Sequence, residues 1–135
     1  EFVKVADSYG STNAGKNALY FSGLTYMEMG KTADAEKALK NAADHGSSDL
    51  AALANLALAN LDQQTGRTSD AIKTLNKLAA HPTTTVPAAE AKLQLAAIYE
   101  KTNPEQARQI YAQLKDKDAK TAAGQIATQK LQQMK

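Results

Sequence analysis

One stretch of the chain is written twice, thirty-six positions apart, and this repetition limits the fold more than any other feature. Gly30 to Gly46 (GKTADAEKALKNAADHG) placed over Gly66 to Pro82 (GRTSDAIKTLNKLAAHP) agrees at eight of seventeen positions without a gap. A third copy keeps the offset: Ala35, Ala71 and Ala107 form one column, Leu39, Leu75 and Tyr111 a second, and Ala42, Leu78 and Leu114 a third. Columns spaced four and three residues apart lie on one face of an α-helix. A period of this size belongs to stacked supersecondary units, each burying its apolar face against the next. Carried backwards, the offset puts Val3 and Ala6 in the Leu39 and Ala42 columns. The chain is therefore expected to open on the second helix of a truncated repeat.

Turn chemistry divides the chain the same way. Gly10, Gly46 and Pro82 share a column at the end of each second helix, where a left-handed cap or a stop is wanted. Thr12-Asn13, Ser48-Asp49 and Thr84-Thr85 follow as N-cap candidates. Gly30 and Gly66 mark the hairpin turns inside the repeats, and the third repeat uses Asn103-Pro104, a cap followed by proline at the first helical position. The spacing predicts helices over about 1–9, 14–29, 33–45, 49–64, 69–81, 87–101, 104–116 and 119–134. One domain follows, made of a half repeat (1–10), three repeats (13–46, 48–82 and 85–117) and a capping helix (118–135) with Ala122, Ile126 and Met134 turned inward.

Composition supports an all-helical unit and removes several function classes. Ala supplies 27 of 135 residues and Pro only 3, a balance that favours helices and close approach of their axes. A net charge of +2, from 16 basic and 14 acidic residues spread along the chain, builds no strong field for nucleic acid or anionic lipid. The absence of cysteine excludes disulfides, thiolate nucleophiles and cysteine-bound zinc, and suits either a reducing cytoplasm or a cell envelope. The longest apolar stretch, Leu50 to Leu61, would rise only about 18 Å as a helix, too little to cross a bilayer. Burial on two sides, between hairpins, accounts for it.

Catalytic and metal chemistry finds little footing. His45 and His81 share a repeat column at helix ends, where an imidazole favours the dipole and the last carbonyls. Ser47, Ser48, His45 and the neighbouring Asp44 and Asp49 read as a polar interhelical turn, not a nucleophilic triad. Glu28, Glu36, Glu90, Glu100 and Glu105 are dispersed and lack the histidine spacing of a di-iron bundle. The glycines lie singly, so no phosphate-cradling loop is present. Lys115, Lys117, Lys120 and Lys130 interleave with Asp116 and Asp118 and form a solvated surface. The expectation is no enzyme, no cofactor, no metal and no nucleic-acid partner.

Leu19, Gly23, Tyr26, Gly30, Ala35, Leu39 and Ala42 fall where the tetratricopeptide signature places its large apolar residue, glycine, tyrosine, turn glycine, alanine, aromatic and alanine. The chain thus resembles the tetratricopeptide superfamily. The resemblance implies a right-handed α-solenoid of antiparallel hairpins, with about eight helices and a C-terminal cap. Asn55, Asp62 and Gln94 depart from the signature at positions that usually bury apolar groups, so the first helices of repeats two and three are expected to be rotated or loosely packed. The run NLALANLDQQTGRTSDAIKTL, with KLQLAAIY and ARQIYAQL, is similar to the periplasmic repeat domain of the ancillary Sec-translocon subunit family. FVKVADSYGSTNAGKNALYFSGLTY resembles repeats of envelope-assembly lipoproteins and division-coordinating proteins. These likenesses imply a bacterial periplasmic or cell-envelope setting, with an anchor upstream and translocon or chaperone partners; a cytoplasmic location is the alternative.

The family's groove positions, transferred to this chain, are Asn17, Tyr20, Leu24, Met27 and Glu28, then Leu53, Leu56, Asn60, Gln63 and Gln64, then Lys92, Ala96, Tyr99 and Glu100. Their mixed apolar and amide character suits an extended or helical peptide held in the concave groove. Tyr20, Met27 and Tyr99 are the expected anchors. The competing reading is an oligomerising or structural segment of a larger envelope-assembly protein, pairing with a second copy through its open N-terminal end.

Overall fold

The structure, a computed structural model, describes residues 13–134, and in this range it is helical throughout with no strand. The expected first helix, 1–9, and the open N-terminal end lie outside the described residues. Seven helices follow: α1 (Asn13–Glu28), α2 (Thr32–His45), α3 (Ser48–Gln64), α4 (Thr68–Ala80), α5 (Ala88–Thr102), α6 (Pro104–Lys117) and α7 (Ala122–Gln133). Each packs on its successor, and α1 also reaches α3 while α5 reaches α7. This is the neighbour-only pattern of stacked hairpins.

Two hairpins close through the same backbone device. Gly30 and Gly66 take φ of 76° and 80°, a left-handed conformation that costs an L side chain about 1–2 kcal/mol. Lys31 N donates to Tyr26 O at 2.8 Å and Gly30 N to Met27 O at 3.1 Å; Arg67 N to Asp62 O and Gly66 N to Gln63 O repeat the arrangement at 2.7 and 3.3 Å. These paired bonds satisfy carbonyls that a helix end would otherwise leave bare. At the third hairpin the Asn103 side chain accepts from Gln106 N at 3.4 Å, with Pro104 opening α6.

The repeat columns are the core. Ala35, Leu39, Ala42, Ala71, Leu75 and Ala107 are wholly buried, and Leu78, Tyr111 and Leu114 are nearly so. Each buried leucine stabilises the fold by about 1.5–3 kcal/mol relative to exposure. Small residues let the helices approach: a Cβ on Gly23 of α1 would lie 2.6 Å from Leu39 Cγ of α2.

Connections between repeats differ in part from expectation. Of the two expected alternatives at Gly46, the stop is found: α2 ends there in extended backbone at φ −78°. Ser47, not Ser48, caps α3, accepting from Leu50 N at 3.3 Å. Thr84 and Thr85 cap nothing; Pro87 precedes α5 without a side-chain cap. Thr85 instead donates to Asp49 O at 2.7 Å, and Thr83 Oγ1 accepts from Val86 N at 3.0 Å. This fold-back drives Val86 fully into the core beside Leu75 and Leu95, a role that no periodic pattern announces.

The last helix is turned from its expected phase. Ala123, Gly124 and Ala127 are buried in α7, while Ala122 is exposed and Ile126 is 41% exposed. The cause is the turn before it: Thr121 Oγ1 accepts from Gly124 N at 3.1 Å and donates to Asp118 O at 2.7 Å. Gly124 thereby rests against the backbone of Asp118 and Ala119, where a Cβ has no room. With the entry angle set so, Ala127, Leu131 and Met134 meet the Tyr111 cluster.

Candidate functional site

The predicted groove positions separate into two groups. On α1, Asn17 and Glu28 are exposed and Tyr20, Leu24 and Met27 are half-buried. Burial pushes the Tyr20 phenol above its ordinary range, and its ring lies 5.4 Å from that of Phe21 at a 60° tilt. On α3, Asn60 is half-buried and Gln63 and Gln64 are exposed, while Leu53 and Leu56 pack against the core cluster shared by α3, α4 and α5. These two helices touch. Of the α5 positions, Ala96, Tyr99 and Glu100 are engaged within the fold. Lys92 is half-buried, Ala96 is completely buried with Ala107, Tyr111, Leu114 and Ala127, and Tyr99 packs against both core clusters. Glu100 accepts a hydrogen bond from Tyr111 Oη at 3.0 Å and pairs with Lys130 Nζ at 3.5 Å. Burial, with the Glu100 carboxylate beside it, pushes the Tyr111 phenol well above its ordinary range.

A second face of α3 carries the residues that depart from the signature. Ala51, Asn55, Leu58 and Asp62, at intervals of four, three and four, are all half-buried. They floor a furrow made of two cavities of about 330 and 360 Å³ that share Asn55 and Thr74: the larger lies between α2 and α4, and the smaller continues along α3 and α4 to Ser48 and Thr83. The residues one repeat away explain why a furrow opens here. Asn55 shares its column with Leu19 and Ala91, and Asp62 with Tyr26 and Ile98; Ala91 and Ile98 are buried in the core. A polar side chain at these points keeps some water instead of drawing α2 and α4 down onto α3. The rest of α3 is closely packed, with Leu50, Ala52, Ala54, Ala57, Ala59 and Leu61 buried. In repeat three, Gln94 donates to Glu90 at 3.4 Å and its Oε1 is buried without a partner.

At one end of the furrow, charges interlock. Arg67, entering α4, donates through two nitrogens to the two Glu36 oxygens of α2 at 3.1 and 3.3 Å. It also lies 3.3 Å from Asp62, and Lys40 pairs with Glu36 at 2.9 Å. The Arg67 and Lys40 hydrogen bonds hold Glu36 below the usual carboxylate range, whereas burial holds Asp62 above it despite the Arg67 charge. The sequence marks Asn55 and Asp62 as misfits but does not connect them to Arg67, Lys77 or His81. Comparing their columns across repeats is the signal that finds the furrow.

His45 ends α2 exposed and His81 follows α4, each at a helix C-terminus. Among the described residues no three His, Cys, Asp or Glu side chains are grouped to hold a metal. No helix among them is long and apolar enough to cross a membrane. No curated protein and no solved structure matches the chain. A family model does, over residues 1–135, and its description is tetratricopeptide repeat-like domain. The repeat columns of the sequence, with the left-handed hairpin glycines and neighbour-only packing of the described residues, agree with that match, and the chain belongs to the tetratricopeptide repeat-like domain family.

Proposed function

We propose that this domain is a protein-binding scaffold whose α1–α3 side holds an extended or helical segment of a partner. The observation that carries the reading is a surface with unused bonding capacity around apolar anchors. Tyr20, Leu24 and Met27 stand half-buried, and no side-chain hydrogen bond engages the amides of Asn17, Asn60, Gln63 or Gln64 among the described residues. Such a lining exchanges water for a partner's backbone while the aromatic and thioether groups supply contact area. Tyr99, packed against both core clusters, and Glu100, bonded to Tyr111 and Lys130, contribute to the fold.

The setting that the sequence favours is the bacterial envelope, beside the translocon or its chaperones. What supports it is the likeness of the α3–α4 run and of the α5 and α6 segments to the ancillary Sec-translocon repeat domain. Alkaline phosphatase fused to the complete gene product checks the location: activity in intact cells supports an envelope setting, and its absence rejects it.

Site-specific photocrosslinking tests the surface. A crosslinker at Leu24 or Asn60 is expected to give a discrete protein adduct in living cells, and one at the outward Asn41 or Asn76 none. Equal adducts from all four positions would remove the α1–α3 side as the docking face.

A further inference from the structure

We propose that the furrow between α2 and α4 is a second docking surface. Its occupant is an extended peptide segment bearing a basic and an acidic side chain four residues apart.

The furrow sets polar side chains among apolar ones: Ala51, Ala52 and Leu78 line the more apolar end, and Ala43 and Leu58 stand among the charges of the other. Its floor is the Asn55 and Asp62 face of α3, and one wall is a stripe of α4, Asp70, Thr74 and Lys77, continued by His81 just past the helix end, at intervals of four, three and four. The Asn55 amide and the Thr74 hydroxyl, at the junction of the two cavities, enter no side-chain hydrogen bond among the described residues. A peptide backbone laid over them would find a donor and an acceptor at mid-length.

The two ends have opposite character. The end lined by Lys77 and His81 contains no carboxylate. The other is lined by Glu36, Asp44, Asp62 and Asp70 against Lys40 and Arg67, an excess of two negative charges. The two cations are committed to Glu36, so Asp62 shares Arg67 without a hydrogen bond from it and Asp70 has no ion pair. A guanidinium or ammonium from outside would complete these acids. Lys77 is likewise unpaired, and a carboxylate would complete it.

The spacing follows from the scaffold. Asp70 and Lys77 are two helical turns apart, about 10 Å, and Asp70 and His81 about 16 Å. In an extended strand, residues four apart share one face at a separation of about 13 Å, between those limits. Two or three residues would be too close or on the opposite side. Helix in the furrow is disfavoured, because a bound helix presents bulk where cavities of this size admit a single strand.

The inference is independent of the α1–α3 side, so the two can fail separately. Peptides displayed on phage as a random twelve-residue library are panned against the intact chain. Expected is enrichment of Lys or Arg and Asp or Glu four places apart. Titration with one selected, fluorescein-labelled peptide should show Kd at least tenfold weaker for Asp70→Lys and for Asn55→Leu. The second substitution fills the furrow with the apolar side chain that repeat one has in that column, so a melting temperature equal to or above the parent's separates blockage from unfolding. Tyr20→Ala should leave Kd within twofold. Absence of the spaced charge pair among selected peptides overturns the proposal, as does unchanged Kd in Asp70→Lys and Asn55→Leu. Loss of binding in Tyr20→Ala instead assigns the peptides to the α1–α3 side and also overturns it.

Discussion

Gly23 occupies a point where α1 lies directly on α2, since a Cβ there would come within 2.7 Å of both Leu39 Cγ and Cδ2. Gly23→Ala forces that leucine from its place and is expected to destabilise the domain by about 1–3 kcal/mol in urea unfolding, although alanine is the better helix former. Tyr111 makes a different demand. It is 1% exposed, and its hydroxyl donates to the half-buried Glu100 carboxylate. Tyr111→Phe removes a hydrogen bond to a charged acceptor and should cost about 1.5 kcal/mol by the same measurement. The raised folded-state pKa of the phenol adds a signature in alkali. The unfolded phenol ionises first, so the stability due to Tyr111 is complete below the ordinary tyrosine range and declines as pH rises above it. That part of the alkaline decline should be absent in Tyr111→Phe. Tyr111 is visible in a repeat column and Gly23 in the signature positions; the Glu100 contact is not, because it joins α5 to α6 at a place that the period does not specify.

Between elements, single caps and ion pairs decide how helices begin and how repeats are tied. Ser47→Ala removes the cap of α3 and is expected to lower stability by about 1 kcal/mol, with Ser48→Ala close to neutral. The Arg67–Glu36 pair ties α4 to α2 across the furrow. Because Glu36 is held below the usual carboxylate range, its contribution is present above that range and is lost as pH falls through the lowered value. Asp62 acts in the opposite sense: its burial opposes the charged form, so folding gains as it takes up a proton. Glu36→Gln should therefore flatten the fall in melting temperature between about pH 5 and pH 3. A parallel fall in parent and variant would show that the tie contributes nothing. Helix positions were readable to within about three residues because the apolar period and turn residues are local. The phase of α7 was not, since one hydrogen-bonded turn at Thr121 outweighs the apolar character of Ile126.

At the level of the whole molecule, stability in a stack passes from neighbour to neighbour. Truncation after Lys117 removes α7 and uncovers Ala96, Tyr111 and Leu114. Amide exchange is then expected to accelerate in α5 and α6 far more than in α1 and α2, with binding of a hydrophobic dye. Uniform acceleration would mean that the repeats unfold as one unit.

Equivalent residues thirty-six positions apart were enough to establish an all-helical stack, its hairpin glycines and its buried columns, because each of these depends on residues close in sequence. Which polar side chains are free to meet a partner depended on what lies across from them. Ala96, Tyr99 and Glu100 match the groove pattern as well as Tyr20 does, yet α6 and α7 claim them. Asn55 and Asp62 read as flaws in a repeat until α2 and α4 stand on either side of them. Periodicity selects the face of a helix, whereas the packing of neighbouring helices decides whether that face meets protein or water.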